Sequence, residues 1–384
     1  MDFALSPELL QLQQMVRDYA RNELLPHAAR LDEQPRFPRE ALYGLAGLGL
    51  LGVTTPERYG GSGLGALAMV TALEEIAAAD ASVATIMAVT NGFPQSSLLD
   101  YGTEEQRQRW LPPLAKGEWI GAFCLSEPHA GSDAAALRTR ADKVAGGYVL
   151  NGEKAWITSG RDADLYLVLA RTDTDAGVRG LSCFIIERGS EGLIPGAAER
   201  KMGQLAAVTS TVTFSDCFVP EDQLIGEEGQ GFVIAMSQLD AGRINIAAQS
   251  VGIARAAFEA ALDYSSNREA FGRTIRDFQG VSFPLADMTV QLEAARLLTQ
   301  RAAWLMDQGF RVTREAAMAK LYASEAAGFI TDGAVQIHGG YGYSRDYPAE
   351  RLYRDARVTR IYEGTSEIQR VVIGRQLARE RGRE

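Results

Sequence analysis

One carboxylate near the end of the chain has the surroundings of a general base. Glu363 lies in Ile361-Tyr362-Glu363-Gly364-Thr365-Ser366-Glu367-Ile368-Gln369, ahead of an apolar run through Val371, Val372 and Leu377. Thr365 or Ser366 suits the N-cap of a helix there, and Ser366 with Gln369 has capping-box spacing. A helix amino terminus favours the charged form of a nearby acid, so Glu363 is expected to be ionised and ready to accept a proton. The same placement also suits a carboxylate that only complements the helix dipole.

Other segments have the residue types that hold a flat, polar ligand. The small residues and hydroxyls of Ser126-Glu127-Pro128-His129-Ala130-Gly131-Ser132-Asp133 let backbone amides approach a ring edge, although an ordinary capped turn uses the same residues. Trp156-Ile157-Thr158-Ser159 sets an aromatic beside hydroxyls on a strand, where a tryptophan equally serves a core. Arg268-Glu269-Ala270-Phe271-Gly272 and Gln279 close a long helical pattern, and a lone arginine there also suits a solvated dipole partner. Gln336-Ile337-His338-Gly339-Gly340-Tyr341-Gly342-Tyr343 carries more glycine than a helix cap requires, which suggests close approach of backbone to a ligand or a second subunit. Gly47-Leu48-Gly49-Leu50-Leu51-Gly52 satisfies GxGxxG, but a helical pattern precedes it and Pro56 follows, so it reads as a loop and not as a dinucleotide site.

The elements that must position these residues fall into three blocks. From Ser6 to about Gly117, Leu9, Leu12, Val16 and Tyr19 recur at helical intervals behind Ser6-Pro7. From Trp119 the pattern changes to short β-branched and aromatic runs: Tyr148 to Leu150, Ala155 to Thr158 after Asn151-Gly152, Leu165 to Ala170, Leu181 to Glu187 and Thr209 to Phe218. After Pro220 the helical period returns, through Tyr264, Leu285 to Gly309 and Arg314 to Ile337. The fold class is therefore α+β, mostly α, with an α-helical domain over 1–118, a middle β domain over 119–222 and an α-helical bundle over 223–384.

Composition narrows the function. The 384 residues are 46% hydrophobic and 23% charged, with a formal charge of −10, which disfavours nucleic acid and anionic membrane surfaces as partners. Cys124, Cys183 and Cys217 lack CxxC spacing, and His27, His129 and His338 lack HExxH spacing, so neither a disulfide framework nor a metal is expected. The amino terminus reads as neither signal nor transit peptide, Ile76 to Val89 is too short and Ala-rich to span a bilayer, and a cytoplasmic location is expected.

In this order and at these intervals the segments resemble the acyl-CoA dehydrogenase family over nearly the whole chain. The resemblance implies a middle domain that is β-barrel-like, a carboxyl-terminal four-helix bundle, and FAD bound between the two. Phe123, Leu125, Ser126, Gly131, Ser132, Trp156, Ile157 and Thr158 would line the flavin, with Thr365 and Glu367 completing that half. Arg268, Phe271, Phe278, Gln279, Gln336, Ile337, Gly339 and Gly340 match residues that reach the FAD of a neighbouring subunit, which implies a homotetramer built as a dimer of dimers. Glu363 matches the base that takes the α proton of an acyl-CoA while the β hydrogen leaves as hydride to flavin N5. Ser132, Asp240, Arg243, Tyr362 and Gly364 match contacts to the CoA ester, and an electron-transfer flavoprotein is the implied acceptor.

Some relatives carry their glutamate where this chain has Gly242, which leaves Glu363 as the base. His129 and Glu367 depart from the commoner glycine and glutamine. The segments around Asp240 to Ile246 and Arg268 to Phe271 look closest to short-chain and branched short-chain members. The rival readings are an acyl-CoA oxidase on the same fold and a non-catalytic flavin-binding assembly protein.

Overall fold

The structure, a computed structural model, describes residues 4–381, with side chains as far as 379. Its first third is helical: α1 (Pro7–Tyr19), α2 (Leu25–Glu33), α3 (Arg39–Gly47), α4 (Gly65–Ala79), α5 (Ala81–Asn91), α6 (Phe93–Tyr101) and α7 (Glu104–Ala115). Ser6 caps α1 by accepting from the Leu9 amide at 3.3 Å, with Pro7 in the first turn where its missing N–H costs nothing. Asp80 caps α5 in the same way, accepting from the amides of Ser82 and Val83.

The middle third is one sheet: β1 (Gly121–Cys124), β2 (Arg140–Val144), β3 (Gly147–Thr158), β4 (Leu165–Arg171), β5 (Leu181–Glu187), β6 (Leu193–Ala198), β7 (Thr209–Pro220) and β8 (Leu224–Ile225). The strand order is β6-β7-β3-β2-β4-β5-β8, and β1 pairs with β4 in parallel. Among the described residues the two end strands do not pair with each other, so this is an open sheet and not a closed barrel. The two strands expected on either side of Asn151-Gly152 are a single long one. Gly152 sits at a register shift against β7 and lies so near Thr139 that a Cβ would come 2.7 Å from the Thr139 Cα, so the glycine makes a bulge and not a turn.

The last third runs through α8 (Gly231–Asn267), α9 (Gln279–Asp307), α10 (Thr313–His338), α11 (Pro348–Arg357) and α12 (Ser366–Arg381). α8, α9 and α10 pack on one another, α11 and α12 lie against α10, and α4 packs on α8 and α9, so the first and last thirds share one core. Among the described residues, no helix is long and apolar enough to cross a membrane.

The α4–α8 contact depends on Gly252. A Cβ there would collide with the Glu74 carbonyl oxygen and stand 2.7 Å from the Ala77 Cβ. Helix propensity alone favours alanine over glycine by about 1 kcal/mol, but overpacking costs about 1–3 kcal/mol. Gly252→Ala is expected to lower stability, measured as an earlier urea midpoint with unchanged slope; a later midpoint would show that the two helices have room to separate.

Candidate active site

After α11 and a short turn at Val358–Arg360, two consecutive residues are left-handed, Glu363 (φ 53°) and Gly364 (φ 86°). A glutamate in that region is strained because its Cβ crowds the backbone. Neighbours hold the turn in place. Gln369 Nε2 donates to the carbonyls of Glu363 (3.1 Å) and Gly364 (2.9 Å), and Lys320 Nζ donates to the Gly364 carbonyl at 2.8 Å. Thr365 is the N-cap of α12, accepting from the Ile368 amide at 3.3 Å. The capping box between Ser366 and Gln369 is not made. Gln369 turns to the carbonyls of the strained turn, and Ser366 Oγ donates to Glu325 Oε1 at 2.7 Å.

The turn aims the Glu363 side chain at α8. A Cβ built on Gly242 would stand 2.8 Å from Glu363 Oε2 and 3.4 Å from the ring of Phe93, so carboxylate, bare helix backbone and ring meet at one point. Phe93 in turn stacks flat on Phe123 of β1, with centroids 3.9 Å apart. All three blocks of the chain thus converge on Glu363. Its Oε2 is shut off from solvent and has no hydrogen-bond donor.

Burial decides the charge state. It pushes the Glu363 carboxyl up to about 7, against the pull of the nearby Arg243 and Lys320 cations. The ionised form expected from the helix terminus alone is therefore only partly populated at neutral pH: loss of water outweighs the local dipole. Arg243 is itself buried, with Nη1 2.8 Å from Asp240 Oδ1, while Asp240 Oδ2 accepts from Thr313 Oγ1 at 2.7 Å. Arg243 Nε is buried without a partner.

Tyr362 points the other way, into a buried polar cluster. Its hydroxyl donates to Gln249 Oε1 at 2.6 Å; Gln249 Nε2 donates to Thr85 Oγ1 at 2.6 Å, and Thr85 Oγ1 donates to Gln204 Oε1 at 2.6 Å. Burial raises the phenol further above its ordinary range. With its hydroxyl so engaged, Tyr362 is tied to α5 and α8.

The remaining expected residues divide into two further groups. In the loop after β1, Glu127 and Ala130 exchange backbone hydrogen bonds, leaving Gly131 and Ser132 exposed; Leu125 and Ser126 are partly exposed. Beneath it Lys154, wholly buried, pairs with Glu127 at 2.7 Å. Trp156 is left-handed (φ 61°) and 64% exposed, Thr158 is partly exposed, and the Ile157 side chain faces the sheet interior. Glu367 is exposed, on the first turn of α12.

The other group lies at the far end of α10. From Lys320 to Gln336 the helix rises about 24 Å, so this end is remote from Glu363. Arg268, Ile337, Gly339 and Gly340 line a groove of about 590 Å³, with Arg268 over the Tyr341 ring at 5.9 Å. Phe271 is 96% exposed and meets Phe278 edge-on, at 6.0 Å; Gln279 and Gln336 are also exposed.

Comparison with known proteins follows the same three blocks. Models of the N-terminal, middle and C-terminal domains of acyl-CoA dehydrogenase match residues 6–118, 122–217 and 229–378. The chain belongs to the acyl-CoA dehydrogenase family. It is 45% identical to a short-chain specific acyl-CoA dehydrogenase of Clostridium acetobutylicum, over 99% of this chain and 100% of the relative. The butyryl-CoA dehydrogenase structure from Megasphaera elsdenii superposes with TM-score 0.97 at 43% identity, covering 98% of this chain and 100% of the other. A structure from work on the electron transferring flavoprotein of Acidaminococcus fermentans matches with TM-score 0.97 at 44% identity, covering 98% and 99%.

In this acyl-CoA dehydrogenase, the roles of Lys320, Gln249 and the Lys154–Glu127 pair are not read from the sequence, and Gln369 reads there only as a capping-box partner. Lys320 had a signal: it is the one cation among Ala316, Ala317, Ala319 and Ala323. Gln249 had none, because a buried amide and an exposed one look alike in sequence.

The raised Glu363 carboxyl makes a stability prediction. Its folded value near 7 lies above the ordinary carboxylate range, so the folded state binds the extra proton in that window and stability falls as pH rises through 7. Glu363→Gln removes the buried charge. At pH 8 the variant is expected to be more stable than wild type by on the order of 2 kcal/mol after screening, seen as a higher melting temperature, and the gap should close below pH 5. Equal melting at pH 8 would mean that the carboxylate is solvated.

Proposed function

We propose that this acyl-CoA dehydrogenase removes hydrogens from the α and β carbons of a short-chain acyl-CoA, with Glu363 accepting the α proton. The observation that carries the reading is the Glu363 carboxylate: strained into place, water-excluded at Oε2, without a donor of its own, and poised near neutral pH. A general base works best with such a match between its proton affinity and the working pH. A carboxylate serving only the helix dipole needs neither the strain nor the burial.

The residues present fit FAD. Trp156 is exposed and left-handed on a strand, and the Glu127–Ala130 turn presents open backbone at Gly131, where nothing lies within 4 Å of a built Cβ. Together with Phe123, Leu125, Ser126, Ser132, Ile157 and Thr158 they would hold the flavin, with Thr365 and Glu367 completing the site. Bound there, FAD would supply the hydride acceptor. The protein contributes the rest. The left-handed turn presents the carboxylate to the α carbon, Phe93 and Phe123 exclude water, and Arg243 with Asp240 and Ser132 meets the CoA ester. An electron-transfer flavoprotein would take the electrons onward.

The substrate class follows from the Tyr362 cluster. Gln249 lies seven residues along α8 from Gly242, about 10 Å, and its hydrogen bonds with Tyr362 and Thr85 are satisfied. A longer acyl tail running along α8 would have to break a buried polar network, which costs far more than its added methylenes return.

Assembly rests on a different feature. Phe283, Val290, Leu297 and Trp304 recur every seven residues on the outer face of α9 and are 60%, 67%, 46% and 50% exposed. Such a stripe suits burial against another helix, and we assign it to contacts within a homotetramer. There Arg268, Phe271, Phe278, Gln279, Gln336, Ile337, Gly339 and Gly340 would reach the FAD of a neighbour. Val290→Lys with Leu297→Glu is expected to reduce the mass seen by light scattering and the FAD content together; an unchanged mass would place the stripe outside the assembly.

Anaerobic titration tests the chemistry. Butyryl-CoA should bleach the visible flavin band at least about tenfold faster than a long-chain acyl-CoA. Glu363→Gln should keep the flavin and slow bleaching by about 10⁴-fold. Bleaching by the variant at near wild-type rate would remove Glu363 from the reaction.

A further inference from the structure

Lys320 is a buried cation for which the reaction as described has no use. Its side chain is wholly shielded from solvent on a face of α10 built mostly of alanine, at Ala316, Ala317, Ala323 and Ala327, with Ser324. Taking an ammonium out of water is costly, and an apolar side chain of similar length would fill the same space. Its hydrogen bond goes to a carbonyl, that of Gly364 at 2.8 Å, and not to a carboxylate. That carbonyl belongs to the second of the two left-handed residues that present the Glu363 carboxylate.

Resting on the reading of Glu363 as base, we propose that Lys320 is a positioning residue, anchoring the Glu363–Gly364 turn through the Gly364 carbonyl while its positive charge favours the carboxylate form of Glu363. Two roles meet in one atom. The hydrogen bond shares with Gln369 the work of fixing a turn that a glutamate adopts only under strain. The charge acts on a carboxylate with one oxygen shut off from solvent, where a cation counts for more than in water.

The charged groups around the pair are few. Glu363 faces Arg243 from α8 and Lys320 from α10; Lys320 faces Glu363, Glu325 on its own helix and Glu367 on α12 as attractive charges, and Arg243 as a repulsive one. Burial pulls the Lys320 ammonium down to about 8 and pushes the Glu363 carboxyl up to about 7. The cation is thus still present as the base begins to lose its proton. Removing it takes away one of the two cations that favour the carboxylate, and the Glu363 titration must move to higher pH.

The test uses the FAD-loaded enzyme. The rate of flavin reduction by butyryl-CoA is followed against pH for wild type, Lys320→Met, Lys320→Gln and Lys320→Arg. In parallel, infrared spectroscopy follows the carboxylic acid band of Glu363, identified by its loss in Glu363→Gln, without any turnover. Lys320→Met is expected to shift both midpoints upward by about one pH unit, and Lys320→Arg to return them toward wild type. Lys320→Gln keeps a donor for the Gly364 carbonyl but no charge, and is expected to shift as the methionine variant does; it carries the comparison if Lys320→Met does not fold. Wild-type midpoints in the uncharged variants, whether or not the rate falls, would overturn the proposal. Should Glu363→Gln itself reduce flavin at the wild-type rate, the reading of the base fails instead, and the infrared titration still reports whether Lys320 governs the Glu363 charge.

Discussion

The Glu363 carboxylate lies against bare helix backbone, because α8 has no side chain at position 242. The gap between a built Gly242 Cβ and Glu363 Oε2 is 2.8 Å, closer than two non-bonded heavy atoms settle. The rest of the site is arranged around that clearance. The chain must reach the spot through a left-handed glutamate, so the turn is strained, and Gln369 and Lys320 restrain it from α12 and α10. Phe93 must lie against the same point to exclude water, and its stack on Phe123 carries the contact into the sheet. The order of the three blocks along the chain is what brings a helix, a strand and a turn to one place.

The same closeness sets the electrostatics. A carboxylate in this setting is not held charged by one strong partner: the nearby cations oppose its burial from a distance, and Arg243 is already engaged with Asp240. A direct ion pair would fix the charge and blunt the base. Burial without pairing leaves the proton affinity near neutrality, where transfer in either direction is easy. The cost appears as strain and a penalised charge, and the large shared core of α4, α8, α9 and α10 carries it.

Much of this was legible in sequence. The helical blocks, most strands and the segment bearing Glu363 follow from hydrophobic period and turn residues, because those signals are local. The failures share a cause. Asn151-Gly152 reads as a turn, but the partner strand β7 and the closeness of Thr139 make it a bulge. Ser366 with Gln369 reads as a capping box, but Glu325 and the turn carbonyls offer both side chains other partners. Glu363 reads as ionised because only the helix terminus is visible in sequence, while the residues that dehydrate it come from positions 93 and 242. Nor does the sequence show that the Ile157 side chain faces the sheet interior or that the Tyr362 hydroxyl is tied into a buried amide cluster. What sequence conceals in most of these cases is a neighbour distant along the chain.

The central claim is a matter of distance, and a crystal structure of the FAD-loaded enzyme with a non-reactive short-chain acyl-CoA analogue measures it directly. A Glu363 carboxylate oxygen should lie about 3–3.5 Å from the analogue's α carbon, on the face opposite the flavin ring. An α carbon out of reach of Glu363, with a different base beside it, would contradict the account.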